Sequence, residues 1–253
     1  MQNPRHIAIT GASSGLGAAL ADAYAAPGVT LSLHGRDAAR LGKTADAARA
    51  KGAEIMTDLG DITDGNAVAS WLHECDMAKP IDLLIANAGI SAGTGSGGED
   101  AAQAARIFAV NVGGVVNTVQ AMIPNMTVRR RGQIAIMASL AGFRGLPSAP
   151  AYSASKAAVR VYGEALRGDL AEHHIGVSVI CPGYIATPMT AVNKFPMPFL
   201  MTPERAAAII KKGLARNRSR IAFPLPLYAA VWLLAALPPC ATDGFMAKLP
   251  KKP

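Results

Sequence analysis

A tyrosine and a lysine four residues apart, in Tyr152-Ser153-Ala154-Ser155-Lys156, share one face of any helix that contains them. A phenol titrates near ~10, too high to exchange protons readily at neutral pH. An ammonium beside it favours the phenolate and lowers that value. Such a pair can protonate a carbonyl oxygen or deprotonate an alcohol. Taken alone, the two residues fit an ordinary exposed helix equally well. A second motif stands near the N-terminus, Thr10-Gly11-Ala12-Ser13-Ser14-Gly15-Leu16-Gly17, between the apolar run His6–Thr10 and an Ala-rich stretch. A loop between a strand and a helix N-terminus offers backbone N–H groups and the helix dipole to a diphosphate. Gly11 permits the tight turn, Gly15 clears the phosphate approach, and Gly17 lets helix and strand pack closely. Ser13, Ser14 and Leu16 complete the loop. The spacing G-x-x-x-G-x-G differs from the commoner G-x-G-x-x-G.

The same glycine loop has a rival reading. Gly11-Ala12-Ser13-Ser14-Gly15 fits G-x-S-x-G, the nucleophile elbow of serine hydrolases. Asp169 and His173 would then complete a triad in chain order. An elbow normally follows several strands rather than the first, and this reading leaves Tyr152 and Lys156 without a use.

The elements that must carry these motifs alternate regularly. Strands are expected at His6–Thr10, Thr30–His34, Ala53–Thr57, Ile81–Ala86, Gln133–Ala138 and Ile175–Cys181. Helices are expected at Gly15–Ala26, Asp37–Lys51, Asp64–Cys75, Ala101–Met126 and Tyr152–His173. Alternating strands and helices imply βαβ units, right-handed crossovers and a doubly wound parallel sheet. A length of 253 residues fits one large α/β domain over residues 1–223, with an apolar and basic extension at 224–253. Ser91–Gly98 has the composition of a flexible loop. Cys75, Cys181 and Cys240 are odd in number and scattered, which argues against a disulfide framework or a zinc site. No apolar run preceded by positive charge opens the chain, so the cytoplasm is the expected compartment.

Along residues 5–223 the sequence resembles the short-chain dehydrogenase/reductase family. Thr10–Gly17 resembles its cofactor loop, and Tyr152 with Lys156 its Y-x-x-x-K pair. Asn87-Ala88-Gly89 is similar to the family's N-A-G after strand four, and Asp61-Ile62 to the pair at the adenine ring. Asn111 resembles the helix asparagine of a catalytic tetrad, and Ser139 the serine that hydrogen-bonds the substrate oxygen. Pro182, Gly183, Ile185 and Thr187 fall in a P-G-x-x-x-T turn beside the nicotinamide. The resemblance implies a Rossmann-like fold and an oxidoreductase acting on a carbonyl or alcohol. Lys156 would bind the nicotinamide ribose and lower the Tyr152 pKa, and Asn111 would support a water linking Lys156 to solvent. It also implies a homodimer or homotetramer built on the two long helices. An NADP(H)-binding scaffold is the alternative from another class.

An acid ending strand two would select NAD(H) through the ribose 2′-hydroxyl. Here the strand ends in Gly35-Arg36-Asp37. Arg36 suits a 2′-phosphate, and Asp37 suits the N-cap of the next helix. NADP(H) is therefore favoured, with NAD(H) left open because Asp37 could take the acid's role. Pro188–Pro203 falls where the resemblance puts a substrate segment, and Met189, Phe195, Met197, Phe199, Leu200 and Met201 suit an apolar ligand. The formal charge of +8 is localised. Residues 1–193 hold 15 basic and 15 acidic side chains, whereas residues 194–253 hold 10 basic ones against Glu204 and Asp243. A neutral body argues against a nucleic-acid binder, and Arg129-Arg130-Arg131 reads as a solvated loop. Ile221–Ala241 carries no charge, with basic residues before it and at Lys248, Lys251 and Lys252 after it. Its helical part, Leu225–Leu237, is too short to span a bilayer. Peripheral membrane contact through 216–253 is favoured; cover for the cleft or for an oligomer interface is the alternative.

Overall fold

The computed structural model describes residues 2–91, 99–147, 149–193 and 195–248. Residues 92–98 of the expected flexible loop, and Lys251 and Lys252 of the tail, lie outside them. The chain runs β1 (His6–Thr10), α1 (Gly15–Tyr24), β2 (Thr30–Gly35), α2 (Ala38–Ala50), β3 (Glu54–Leu59), α3 (Gly65–Ala78) and β4 (Leu83–Ala86). It continues through α4 (Ala101–Phe108), α5 (Gly114–Arg129), β5 (Gly132–Met137), α6 (Pro150–Asp169), β6 (Ile175–Pro182), α7 (Pro188–Ala191), α8 (Pro203–Ala215), β7 (Arg220–Phe223), α9 (Leu225–Ala236) and α10 (Pro239–Met246). The strands form one seven-stranded parallel sheet in the order β3-β2-β1-β4-β5-β6-β7.

Every residue of β1, β2, β4 and β5 is buried, as a sheet covered on both faces requires. Successive side chains point to opposite layers. Ile7 and Ile9 pack with Leu20, Leu41, Ile210 and Leu214 of α1, α2 and α8. Ala8, Leu84 and Ile136 pack with Leu72, Val119 and Val159 of α3, α5 and α6. Helix starts are fixed by side-chain caps: Asp37, Asp64, Asp100 and Thr202 each accept a backbone N–H three residues on. Ala101–Arg129 is long and apolar enough to cross a membrane, but it packs on the sheet as a core helix.

Three expectations need correcting. The helix expected at Ala101–Met126 is interrupted by a π turn at Ala109–Gly113. The polar-to-apolar stretch after the substrate loop folds into α8 and a seventh strand, β7, which pairs with β6 from Val179↔Arg220 to Pro182↔Phe223. The arginine run is a brace rather than a solvated loop. Arg129 Nη1 donates to both Asp76 oxygens at 2.7 and 2.8 Å, and Nη2 donates to Ile81 O at 2.6 Å. Arg131 donates to Asp82 at 2.9 Å. These contacts tie the end of α5 to the end of α3 and the start of β4. Asp76 also accepts from Ile81 N at 2.8 Å and Asn125 Nδ2 at 2.9 Å.

Asp76→Ala leaves Arg129 partly buried without its partner. The expected loss is about 3 kcal/mol of unfolding free energy in a urea titration; a change within about 0.5 kcal/mol would show that the brace is incidental.

Candidate active site

Chain order reverses between β1 and β4, and the crossovers leave to opposite faces of the sheet. In an open α/β sheet this opens a crevice at the carboxyl ends of the strands. A cleft occupies that crevice. Gly11, Ser13, Ser14, Gly15, Leu16 and Gly17 line it at the β1–α1 turn, and Arg36 at the end of β2. Ile62, Asn87, Ala88, Gly89, Ser139, Tyr152, Lys156, Pro182, Gly183, Ile185 and Thr187 line the rest. All the expected site residues therefore meet there except Asp61 and Asn111, which do not line the cleft. Asp61 is half exposed beside it, with Oδ1 held by Thr63 N and Oγ1 at 3.0 and 2.9 Å and Oδ2 3.9 Å from Arg36.

The β1–α1 turn is cut to bare backbone. Gly11 has φ +67°, and a Cβ there would lie 2.8 Å from Ala88 Cα. A Cβ at Gly17 would lie 2.2 Å from Gly11 O, so no larger residue fits. The turn is pinned from β4. Thr10 Oγ1 accepts from Asn87 N at 3.0 Å and Ala88 N at 3.1 Å, while Asn87 Nδ2 donates to Thr10 O and Gly11 O at 3.0 and 3.2 Å. A cradle of backbone N–H groups at a helix start, closed to side chains, fits a dinucleotide's diphosphate.

At the other end of the cleft, Ser139 follows β5 and lines the wall with Tyr152. Ser139 Oγ accepts from Ala141 N at 3.1 Å. Lys156, one helical turn beyond Tyr152, is 4% exposed and donates from Nζ to Met137 O at 2.9 Å. Its Nζ stands 5.9 Å from the centre of the Tyr152 ring. Burial lowers the Lys156 ammonium from 10.5 to about 8. Burial raises the Tyr152 phenol above its ordinary value, against the opposing effect of the nearby Ser139 hydroxyl. The lowering of Tyr152 expected from Lys156 is not found in this geometry, where burial dominates. Asn111 is fully buried on the π turn. Its Oδ1 accepts from Ile90 N at 2.8 Å, and its Nδ2 donates to Ile90 O at 2.9 Å and to Ser155 Oγ at 3.0 Å. It therefore clips the end of β4 to α6.

Three further residues belong to the site and left no readable sign in the sequence. Glu99 caps α6 from outside: its carboxylate accepts from Ala151 N, and from Tyr152 N at 3.1 Å. Arg40 and His34 both line the cleft. Arg40 Nε donates to Asp37 Oδ2 at 2.8 Å. His34 Nδ1 is buried without a hydrogen-bond partner among the described residues, and burial lowers its pKa. The hydrolase triad does not assemble. Ser13 follows β1 at the carboxyl edge of the sheet, whereas Asp169 and His173 precede β6 at the opposite edge.

Lys156 carries a stability signature. Its folded pKa, about 8, lies below its free value of 10.5, so the unfolded chain binds more protons between them and stability rises with pH across that window. Lys156→Met removes this dependence. The variant should be about 1 to 3 kcal/mol more stable than the native chain near pH 7, with the gap closing toward pH 10. Parallel slopes in denaturant titrations across that range would refute a buried, strained ammonium.

The short chain dehydrogenase family model matches residues 5–195. An uncharacterised oxidoreductase of Myxococcus xanthus is 37% identical over 242 residues, covering 95% of this chain and 96% of that protein. A short-chain dehydrogenase from Sphingobium yanoikuyae in complex with NADPH superposes with a TM-score of 0.81 at 27% identity, covering 98% of this chain and 97% of that one. A short-chain dehydrogenase/reductase from Burkholderia phymatum in complex with NAD gives 0.82 at 27% identity, covering 99% and 98%. With this fold, this crevice and these relatives, the chain is an oxidoreductase of the short-chain dehydrogenase/reductase family.

Proposed function

We propose that the protein is an NADP(H)-dependent oxidoreductase that interconverts a carbonyl and a primary or secondary alcohol on an apolar substrate. The observation that carries this reading is that Ser139 and Tyr152 line one cleft with Lys156, a buried lysine one helical turn beyond the tyrosine. A bound nicotinamide supplies or accepts the hydride. Tyr152 gives its phenolic proton to the carbonyl oxygen, or takes one from the alcohol. Ser139 donates a hydrogen bond to the same oxygen and steadies its developing charge. Lys156 holds the ribose hydroxyls. The Asn111 amide is committed to Ile90 and Ser155, so its role is to set the β4–α6 spacing. A water reaching Lys156 would rest on main-chain atoms of the π turn. Gly11 and Ser13–Gly17 would hold the diphosphate, Ile62 and Asp61 would flank the adenine, and Asn87–Gly89, Pro182, Gly183, Ile185 and Thr187 would border the nicotinamide half.

The preference for NADP(H) rests on Asp37. Its Oδ1 accepts from Arg40 N at 2.9 Å and its Oδ2 from Arg40 Nε at 2.8 Å, so its carboxylate is engaged at the α2 cap and paired with a cation. Asp37 lines the cleft together with Arg36 and Arg40, and the two guanidinium groups suit a 2′-phosphate. The apolar substrate is supported by the segment after Thr187. Met189 lines the cleft, Phe195 packs edge-on against Tyr184 at 6.1 Å, and Phe199 and Leu200 are 57% and 47% exposed. Copies pair through α5 and α6, whose outward Val128 and Val161 are 87% and 53% exposed; light scattering is expected to give a dimer or tetramer, and a monomer refutes the pairing.

NADPH and NADH oxidation with a panel of apolar aldehydes and ketones tests the reaction. NADPH should turn over faster. Tyr152→Phe should lower kcat by at least about a hundredfold without preventing NADPH binding. Arg36→Ala should raise KM for NADPH about tenfold and leave NADH unchanged. If NADPH binds and nothing in the panel turns over, the cofactor-binding scaffold becomes the better reading.

A further inference from the structure

A second concavity, about 340 Å³, lies away from the cleft between α8, β7 and the first turn of α9. Lys212, Arg216, Arg218 and Arg220 line it with Leu225 and Tyr228, and no carboxylate does. Arg220 is tied to Glu164 and to the Tyr228 hydroxyl. The side chains of Lys212, Arg216 and Arg218 are exposed and enter no ion pair or hydrogen bond among the described residues. Three uncommitted cations around one hollow concentrate positive potential there.

The hollow runs directly into an apolar surface. α9 is uncharged throughout its 12 residues. Its inner side, Leu227, Tyr228 and Val231, packs on the sheet layer. Leu225, Ala229, Trp232, Leu233 and Ala236 recur at i, i+4, i+7, i+8 and i+11 and form one exposed stripe. Leu225 is 72% exposed, Trp232 56% and Leu233 57%, and Phe245 of α10 adds 55%. A helix that is apolar on every side belongs in a buried setting, and nothing among the described residues covers this side. At 1.5 Å per residue α9 is about 18 Å long, well short of the roughly 30 Å of a bilayer core, so it cannot cross one.

The two features select the occupant. A second copy related by a two-fold axis would present this same face, whose hollow is lined by cations and by no carboxylate, so it supplies no counter-charge from the hollow's own lining. An anionic lipid surface satisfies both features at once. We propose that the α8–β7–α9 face docks on such a surface, with a headgroup phosphate in the hollow and the α9 stripe lying in the plane of the interface. None of the residues that would make the docking contacts lines the cleft.

The test uses the full chain and vesicles of phosphatidylcholine, with and without phosphatidylglycerol. Binding is expected to the anionic vesicles alone and to fall with salt. Arg216→Ala with Arg218→Ala should weaken it about twenty-fivefold, near fivefold per cation. Leu225→Ser with Leu233→Ser should weaken binding at all salt concentrations. The chain has two tryptophans, and Trp71 is buried, so a blue shift of emission on anionic vesicles should vanish in Trp232→Phe. NADPH turnover in solution should be unchanged in these variants, which separates failure of docking from failure of the reaction. Equal binding to neutral vesicles, indifference to the arginine pair, or phosphate binding without vesicle binding would each overturn the proposal. So would conversion of an oligomer to a monomer by Trp232→Ser, which would assign the face to contact between copies.

Discussion

A parallel sheet covered on both faces tolerates a polar side chain along its strands only where a partner is supplied, so its chemistry is pushed to the strand ends. The buried His6 illustrates the constraint. It is tolerated within β1 because Nδ1 meets Lys79 O at 2.6 Å and Nε2 meets Ser32 Oγ at 2.8 Å, and burial lowers its pKa. At the boundary between β1 and β4 the crossovers leave in opposite directions and open a crevice at the strand ends. The crevice stays narrow because Gly17 and Gly11 let α1 rest directly on the turn and Asn87 ties that turn to β4. Ser139 from β5, Tyr152 from α6 and Thr187 beyond β6 then arrive at one wall because their strands end side by side.

Within that wall, burial acts against both titratable groups. It disfavours the Lys156 ammonium and the Tyr152 phenolate alike. Polar neighbours partly offset this: Met137 O accepts from the lysine, and the nearby Ser139 hydroxyl favours the phenolate. Glu99 holds the first turn of α6 by its backbone N–H groups, where a carboxylate also meets the positive end of the helix dipole. The Tyr152–Lys156 spacing is therefore held rigidly at both ends, by Glu99 at the start of the turn and by the Asn111–Ser155 bond near its close. Such rigidity suits proton transfer, which needs donor and acceptor within hydrogen-bond reach.

The strands and helices around the glycine loop were legible because their signals are local. Periodicity, turn glycines and the Asp37 cap all act within a few residues, and the expected boundaries mostly differ from the observed ones by one or two positions. What stayed hidden depends on partners distant in the chain. The π turn preserves helical composition, and its bulge accompanies a bond between Asn111 and Ile90, 21 residues earlier. Glu99 reaches Ala151 across 52 residues. The Arg129–Arg131 run looks solvated until Asp76 and Asp82 are brought beneath it. β7 is four residues long and leads directly into an uncharged stretch, so only its pairing with β6 identifies it.

The C-terminal extension is also coupled to the cleft by packing. Tyr228 of α9 stacks edge-on with Phe143 at 5.4 Å, immediately after the 3-10 turn Leu140–Gly142 that Ser139 caps. Leu227 lies so near Gly183 that a Cβ there would approach its Cδ2 to 3.0 Å. Gly183 is itself anchored to the end of β7 by its N–H to Phe223 O at 2.8 Å. α9 thus buttresses two of the segments that border the expected nicotinamide and substrate positions. Phe143, Tyr228 and Leu227 pack against one and the same buried cluster, so α9 and both turns rest on contiguous side chains rather than on a loop.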